Sequence, residues 1–133
     1  MARFESAHLD HEIQDKFVMF TLGMKLHFEP EEVGNRWLLQ IEFREQDPVK
    51  DDQLFIVPEA VRFGEVDAGK IRKYIIPSKQ EIELSYDIEF PAHLVDTELG
   101  KEEVYSILVL KPVGEGVEFA PAETRTNITQ VDV

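Results

Sequence analysis

Val18-Met19-Phe20-Thr21-Leu22-Gly23-Met24-Lys25-Leu26-His27-Phe28 alternates without a break. Val18, Phe20, Leu22, Met24, Leu26 and Phe28 are apolar, and after Met19 the intervening positions are Thr21, Gly23, Lys25 and His27. Successive side chains on a strand point to opposite faces, so this row predicts a strand with one dry face and one wet face. A helix of the same sequence would scatter the six apolar residues around its circumference.

Reading outward, Glu29-Pro30 ends the strand, since proline restricts its predecessor and cannot donate to a ladder. Glu29 to Asn35 reads as a turn, with Gly34-Asn35 supplying positive φ. Arg36 to Arg44 alternates again, with Trp37, Leu39, Ile41 and Phe43 on one face. Two such runs around a short turn predict an antiparallel hairpin. Upstream, residues 1–16 are expected to form a polar arm with room for a short strand, with a helical face on Leu9, Ile13, Phe17 and Phe20 as the alternative.

Downstream, Glu45 to Gln53 is a charged loop. Leu54–Val57, Ala60–Val66 and Ile71–Ile76 are short runs bounded by Pro58, Asp67-Ala68-Gly69 and Pro77, which suits edge strands or strands that switch sheets. Gln80 to Phe90 repeats the opening theme. Ile82, Leu84, Tyr86, Ile88 and Phe90 face in, and Glu81, Glu83, Ser85, Asp87 and Glu89 face out. Pro91 to Glu103 is a long connection with a helical turn expected near Val95 to Leu99. Val104 to Leu110 is apolar on both faces except at Ser106, as in a central strand covered on both sides. Val117–Phe119 and Thr124–Val133 complete the set as short, weak strands.

Turn-bounded alternating strands predict an all-β fold, an antiparallel β-sandwich of seven to nine strands in a single domain over residues 1–133. A long connection leading into the Tyr105 strand resembles the tyrosine corner of immunoglobulin-like sandwiches, which makes the expected sandwich loosely immunoglobulin-like.

Composition narrows the function. The 133-residue chain has no cysteine, which excludes disulfides, thiolate metal sites and cysteine nucleophiles. Its 14 Lys and Arg against 27 Asp and Glu leave a net charge of −13. Such a surface repels phosphate backbones and anionic lipid heads, so neither nucleic acid nor membrane is the expected partner. Neither a signal-peptide pattern nor a transmembrane-length apolar run is present, so a cytoplasmic location is the default expectation.

Candidate chemistry is sparse. The acidic loop over residues 45–53 offers Asp47, Asp51 and Asp52, close to Glu45, as oxygen ligands for calcium. The spacing lacks the EF-hand pattern. His8, His11 and Glu12 would share one face if their segment were helical, although the order is not that of a zinc hydrolase. His27 and His93 lie on or beside strands, but Ser6, Ser78, Ser85 and Ser106 occupy no nucleophile elbow. Trp37 falls in the core register, which leaves few exposed aromatics for stacking on sugars. Asn127-Ile128-Thr129 fits the glycosylation sequon. The expectation is a non-catalytic binding or assembly module with no cofactor, working through a protein partner or self-association. A metal- or ligand-binding sandwich with calcium at Asp47, Asp51 and Asp52 is the alternative, and an enzyme comes third.

Overall fold

The computed structural model describes residues 1–46, 51–54, 56–57, 60–96, 101–114 and 119–132. Its strands are β1 (Arg3–Gln14), β2 (Phe17–His27), β3 (Trp37–Glu45), β4 (Asp52–Gln53), β5 (Glu65–Asp67), β6 (Lys70–Ile75), β7 (Glu81–Pro91), β8 (Glu102–Pro112), β9 (Ala122–Arg125) and β10 (Thr129–Val131). One short helix, α1 (Ala92–Val95), follows β7. The strands form two antiparallel sheets. The first has the order β1-β2-β7. The second has the order β10-β8-β3-β6-β5, with β4 added to β3 and β9 to β8. The expected antiparallel sandwich is therefore the fold, with ten strands among the described residues against the seven to nine expected from sequence.

The two inner faces hold the expected apolar rows. Val18, Phe20, Leu22, Leu26 and Phe28 of the opening stretch have no accessible surface, and neither do Trp37, Leu39, Ile41 and Phe43. Phe20, Phe43 and Phe90, one from each of β2, β3 and β7, meet with ring centroids 5.2–5.4 Å apart. Phe28 packs on Trp37 at 5.3 Å, and Phe119 stacks on the same indole at 5.8 Å. Such offset and edge-on pairs stabilise beyond their buried area.

Several pairings differ from the sequence reading. β2 and β3 are not a hairpin: β2 pairs with β1 and β7, while β3 pairs with β6 and β8 in the other sheet. Both strands carry an apolar row, and packing those rows face to face buries both. The turn between them is fastened as a crossover. Gly34 at φ 86° donates its N–H to Pro77 O at 2.9 Å, and Phe28 N donates to Gln80 O at 2.7 Å. Inside this turn the carboxylate of Glu32, 2% exposed, accepts the backbone N–H groups of Ala2 at 3.0 Å and Glu29 at 2.8 Å.

Residues 1–16 are not an arm with a short strand but carry a full-length strand. β1 runs antiparallel to β2 over its full length, joined by Asp15-Lys16 with Asp15 at φ 56°. The Asp67-Ala68-Gly69 segment expected to break a strand is a hairpin loop, with Ala68 at φ 51° and Gly69 at φ 75° between β5 and β6. Two successive positive φ values match the right-handed twist of the strands that flank them. β8 is central, between β3 and the β9–β10 edge, but Ile107 and Val109 on its outer face remain half-exposed. Tyr105 also lies on that outer face, under the Arg125 guanidinium at 4.1 Å, and its hydroxyl donates to Asp51. It therefore does not make the backbone bond of a tyrosine corner. The expected Val117–Phe119 strand and Val95–Leu99 turn fall partly outside the described residues.

Candidate functional site

The outer face of the β1-β2-β7 sheet is open over most of its length among the described residues, with Ala60 and Arg62 bordering it at Met19, Asp87 and Glu89. Register places its side chains in cross-strand rows: Glu12, Met19 and Glu89; Asp10, Thr21 and Asp87; His8, Gly23 and Ser85; Ser6, Lys25 and Glu83. Acids dominate. Thr21 Oγ1 donates to Asp87 at 3.0 Å, and His8 Nε2 lies 3.0 Å from Asp10. At the centre Gly23 leaves a shallow trough of about 520 Å³, and a Cβ there would meet nothing within 4 Å.

At one end of this face a β-bulge between Phe4 and Ser6 adds an extra residue to β1, Glu5. Bulges re-aim side chains. Here Glu5 turns toward His27 of β2, whose Nδ1 also contacts Glu81 of β7. One ligand atom from each of Glu5, His27 and Glu81 lies within 4.8 Å of the others. One imidazole and two carboxylates form a donor set that suits zinc or manganese. Glu29 approaches the other ring nitrogen of His27 at 3.6 Å. The sequence reading missed this group. Its members are 22 and 54 residues apart in the chain, and only strand register unites them.

The residues singled out from sequence are dispersed. Asp51 accepts from the Tyr105 hydroxyl, Asp52 is exposed on β4 opposite Glu45, and Asp47 lies outside the described residues. His8 and His11 sit on opposite faces of β1, so they cannot share an ion as a helix would have allowed. His11 Nδ1 instead contacts Thr129 Oγ1 at 2.6 Å. Among the described residues, no serine hydroxyl is hydrogen-bonded to a histidine. Ser106 is buried and donates to Glu42 O at 2.9 Å. Asn127 of the sequon turns its amide to β1, where Leu9 N donates to Oδ1 at 2.8 Å and Nδ2 donates to Leu9 O at 3.0 Å.

A second concavity follows the edge of β7. It is an open groove of about 720 Å³, bordered by Ile75, Ile76, Lys79, Ile82 and Leu84. Ile76 on its wall is 64% exposed.

Together the two sheets define the class, an antiparallel β-sandwich. No protein-family model matches the sequence, and no curated protein matches it. Among solved structures, the fold is similar to part of a glycosyl hydrolase family 2 member from Bacteroides cellulosilyticus DSM 14838. The match has a TM-score of 0.62 at 9% identity and covers 98% of this chain and 15% of that one. A second structure of a family 2 member from Bacteroides cellulosilyticus, from microfluidic crystals, matches at TM-score 0.56 and 10% identity. It covers 93% of this chain and 14% of that one. The chain thus spans about 15% of the length of the glycosyl hydrolase it matches, and at such identity the likeness shows the fold alone. No helix among the described residues is long and apolar enough to cross a membrane.

Proposed function

We propose that this chain is a non-catalytic β-sandwich module that acts through protein–protein contacts. The observation that carries the reading is the outer face of the β1-β2-β7 sheet, long-stranded, rich in acids and open over most of its length among the described residues. Such a face favours a basic protein partner, because complementary charge steers association and rejects wrong partners. The likeness to 15% of a longer chain supports a β-sandwich module, and the module's role is argued from its surface because function resides in sites and not in folds.

Photo-crosslinking from position 21 on the outer face, with position 22 in the core as control, tests the reading in the native host. A defined crosslinked protein from position 21 alone is the expected result. Absence of any crosslink from position 21 and from position 87 beside it would overturn it. Turnover of chromogenic glycosides by the purified chain would overturn the non-catalytic part.

A further inference from the structure

β7 ends its sheet, and the parity of its hydrogen bonds shows which backbone groups are unused. Phe28 N donates to Gln80 O, and at the other end Ala92 N donates to Lys16 O. The register between these points is unbroken, so the even-numbered residues of β7 exchange bonds with β2. Glu81, Glu83 and Ser85 therefore direct their N–H and C=O groups away from β2, toward the free edge. No described residue bonds to them there. Farther along, the edge is flanked: Phe63 stacks on Tyr86 at 4.1 Å, and Ala60 and Arg62 border Asp87 and Glu89. Among the described residues the other edges are less available. Asn127 bridges β1 to the β9–β10 edge, and β5 has three residues.

We propose that the β7 edge at Glu81–Ser85 captures an extended partner segment of alternating basic and apolar residues by strand addition. This rests on the protein-binding reading above and names the edge and the partner chemistry. Strand addition draws affinity from main-chain bonds and specificity from alternate side chains. The inward side chains of an added strand would enter the groove beside Ile82 and Leu84, against Ile75 and Ile76. Its outward side chains would lie beside Glu81 and Glu83, where cross-strand neighbours of opposite charge stabilise and like charges repel. Glu83 makes no ion pair within 4.0 Å among the described residues, although Lys25 is its cross-strand neighbour. A second copy of β7 is a poor occupant, because it would set one acidic row beside another.

The test uses a fluorescent peptide of about seven alternating lysine and valine residues. Its controls are an alternating glutamate–valine peptide and the lysine–valine peptide N-methylated on the amides that would face β7. Anisotropy gives affinity, and residue-resolved amide exchange gives location. The lysine–valine peptide is expected to bind and to slow exchange at Glu83 and Ser85 about tenfold or more, with less change at Ile82 and Leu84, whose amides β2 already holds. N-methylation, or Glu83→Pro, should weaken binding about tenfold, because each removes edge bonds and leaves the β2 ladder intact. If Glu83→Pro does not fold, the N-methylated peptide decides alone. Glu81→Gln with Glu83→Gln should weaken binding about threefold to tenfold. Failure to bind at millimolar peptide, or equal binding of the N-methylated peptide, overturns strand addition. Protection confined to the outer face of β1 and β2 overturns the edge and leaves the protein-binding reading standing.

Discussion

Asn127 grips Leu9 by both backbone groups, accepting its N–H at 2.8 Å and donating to its carbonyl at 3.0 Å. The pair joins the last strands of one sheet to the first strand of the other, across 118 residues of chain. A side-chain amide here satisfies backbone groups at the edge of β1 that an adjacent strand would otherwise satisfy. Asn127→Ala should cost about 1–3 kcal/mol in urea unfolding, because both Leu9 groups lose their partner. Glycosylation at Nδ2 would disturb the same contact. A variant as stable as the parent would show that water replaces the amide without loss.

The opening strand tests the two-faced reading. Leu22 and Leu26 are fully buried. Leu22→Ala and Leu26→Ala should each cost about 2–5 kcal/mol, from lost transfer energy and the cavity left behind. Thr21 and Lys25 point to the open face, so Thr21→Ala and Lys25→Ala should each cost about 0–1 kcal/mol. Chemical denaturation of the four variants checks this. Equal losses on both faces would mean a further layer covers the sheet.

Two tyrosines should behave oppositely. The buried hydroxyl of Tyr86 has no hydrogen-bond partner among the described residues. Tyr86→Phe removes an unsatisfied polar atom and should leave stability unchanged or raise it by up to about 1 kcal/mol. Tyr105 donates to Asp51, so Tyr105→Phe should cost about 0.5–1.5 kcal/mol at neutral pH.

Alkaline pH should separate the same residues from the parent. Burial raises both phenols above 10.0, and for Tyr105 the bond to Asp51 and the Asp51 charge add to the rise, with Arg125 and Arg44 partly opposing it. A folded-state pKa above the unfolded value means the fold holds the proton more tightly. The contribution is full below pH 10 and is lost as pH rises through the folded pKa. Melting curves from pH 9 to 11 should therefore fall less steeply for Tyr86→Phe and Tyr105→Phe than for the parent.

Calcium distinguishes the metal reading at Asp47, Asp51 and Asp52. Millimolar calcium at constant ionic strength should leave the melting temperature within about 2 °C, since a ligand held only by the folded state must raise it. A larger rise, abolished by Asp51→Asn with Asp52→Asn, would establish a calcium site in that loop. Sodium chloride alone should raise the melting temperature modestly by screening the net charge of −13.

Local alternation alone identifies the dry side of β2, β3 and β7, but not of β1 or β8. The alternation in Val18–Phe28, Trp37–Phe43 and Ile82–Phe90 follows from the local geometry of an extended backbone, whatever that strand later pairs with. It also determined the acidic outward row of β7. The pairings are settled by the assembled fold. β2 and β3 read as a hairpin and became facing strands of opposite sheets, because burying two apolar rows against each other outweighs a short connection. The arm before Lys16 became β1 because its sparse apolar residues gain burial only once β2 and the β9–β10 edge lie beside it. The meeting of Glu5, His27 and Glu81 depends on a bulge and on two registers, and the unused edge of β7 depends on bond parity with β2. Both are relations between distant segments, set by the competition among pairings that no single stretch contains.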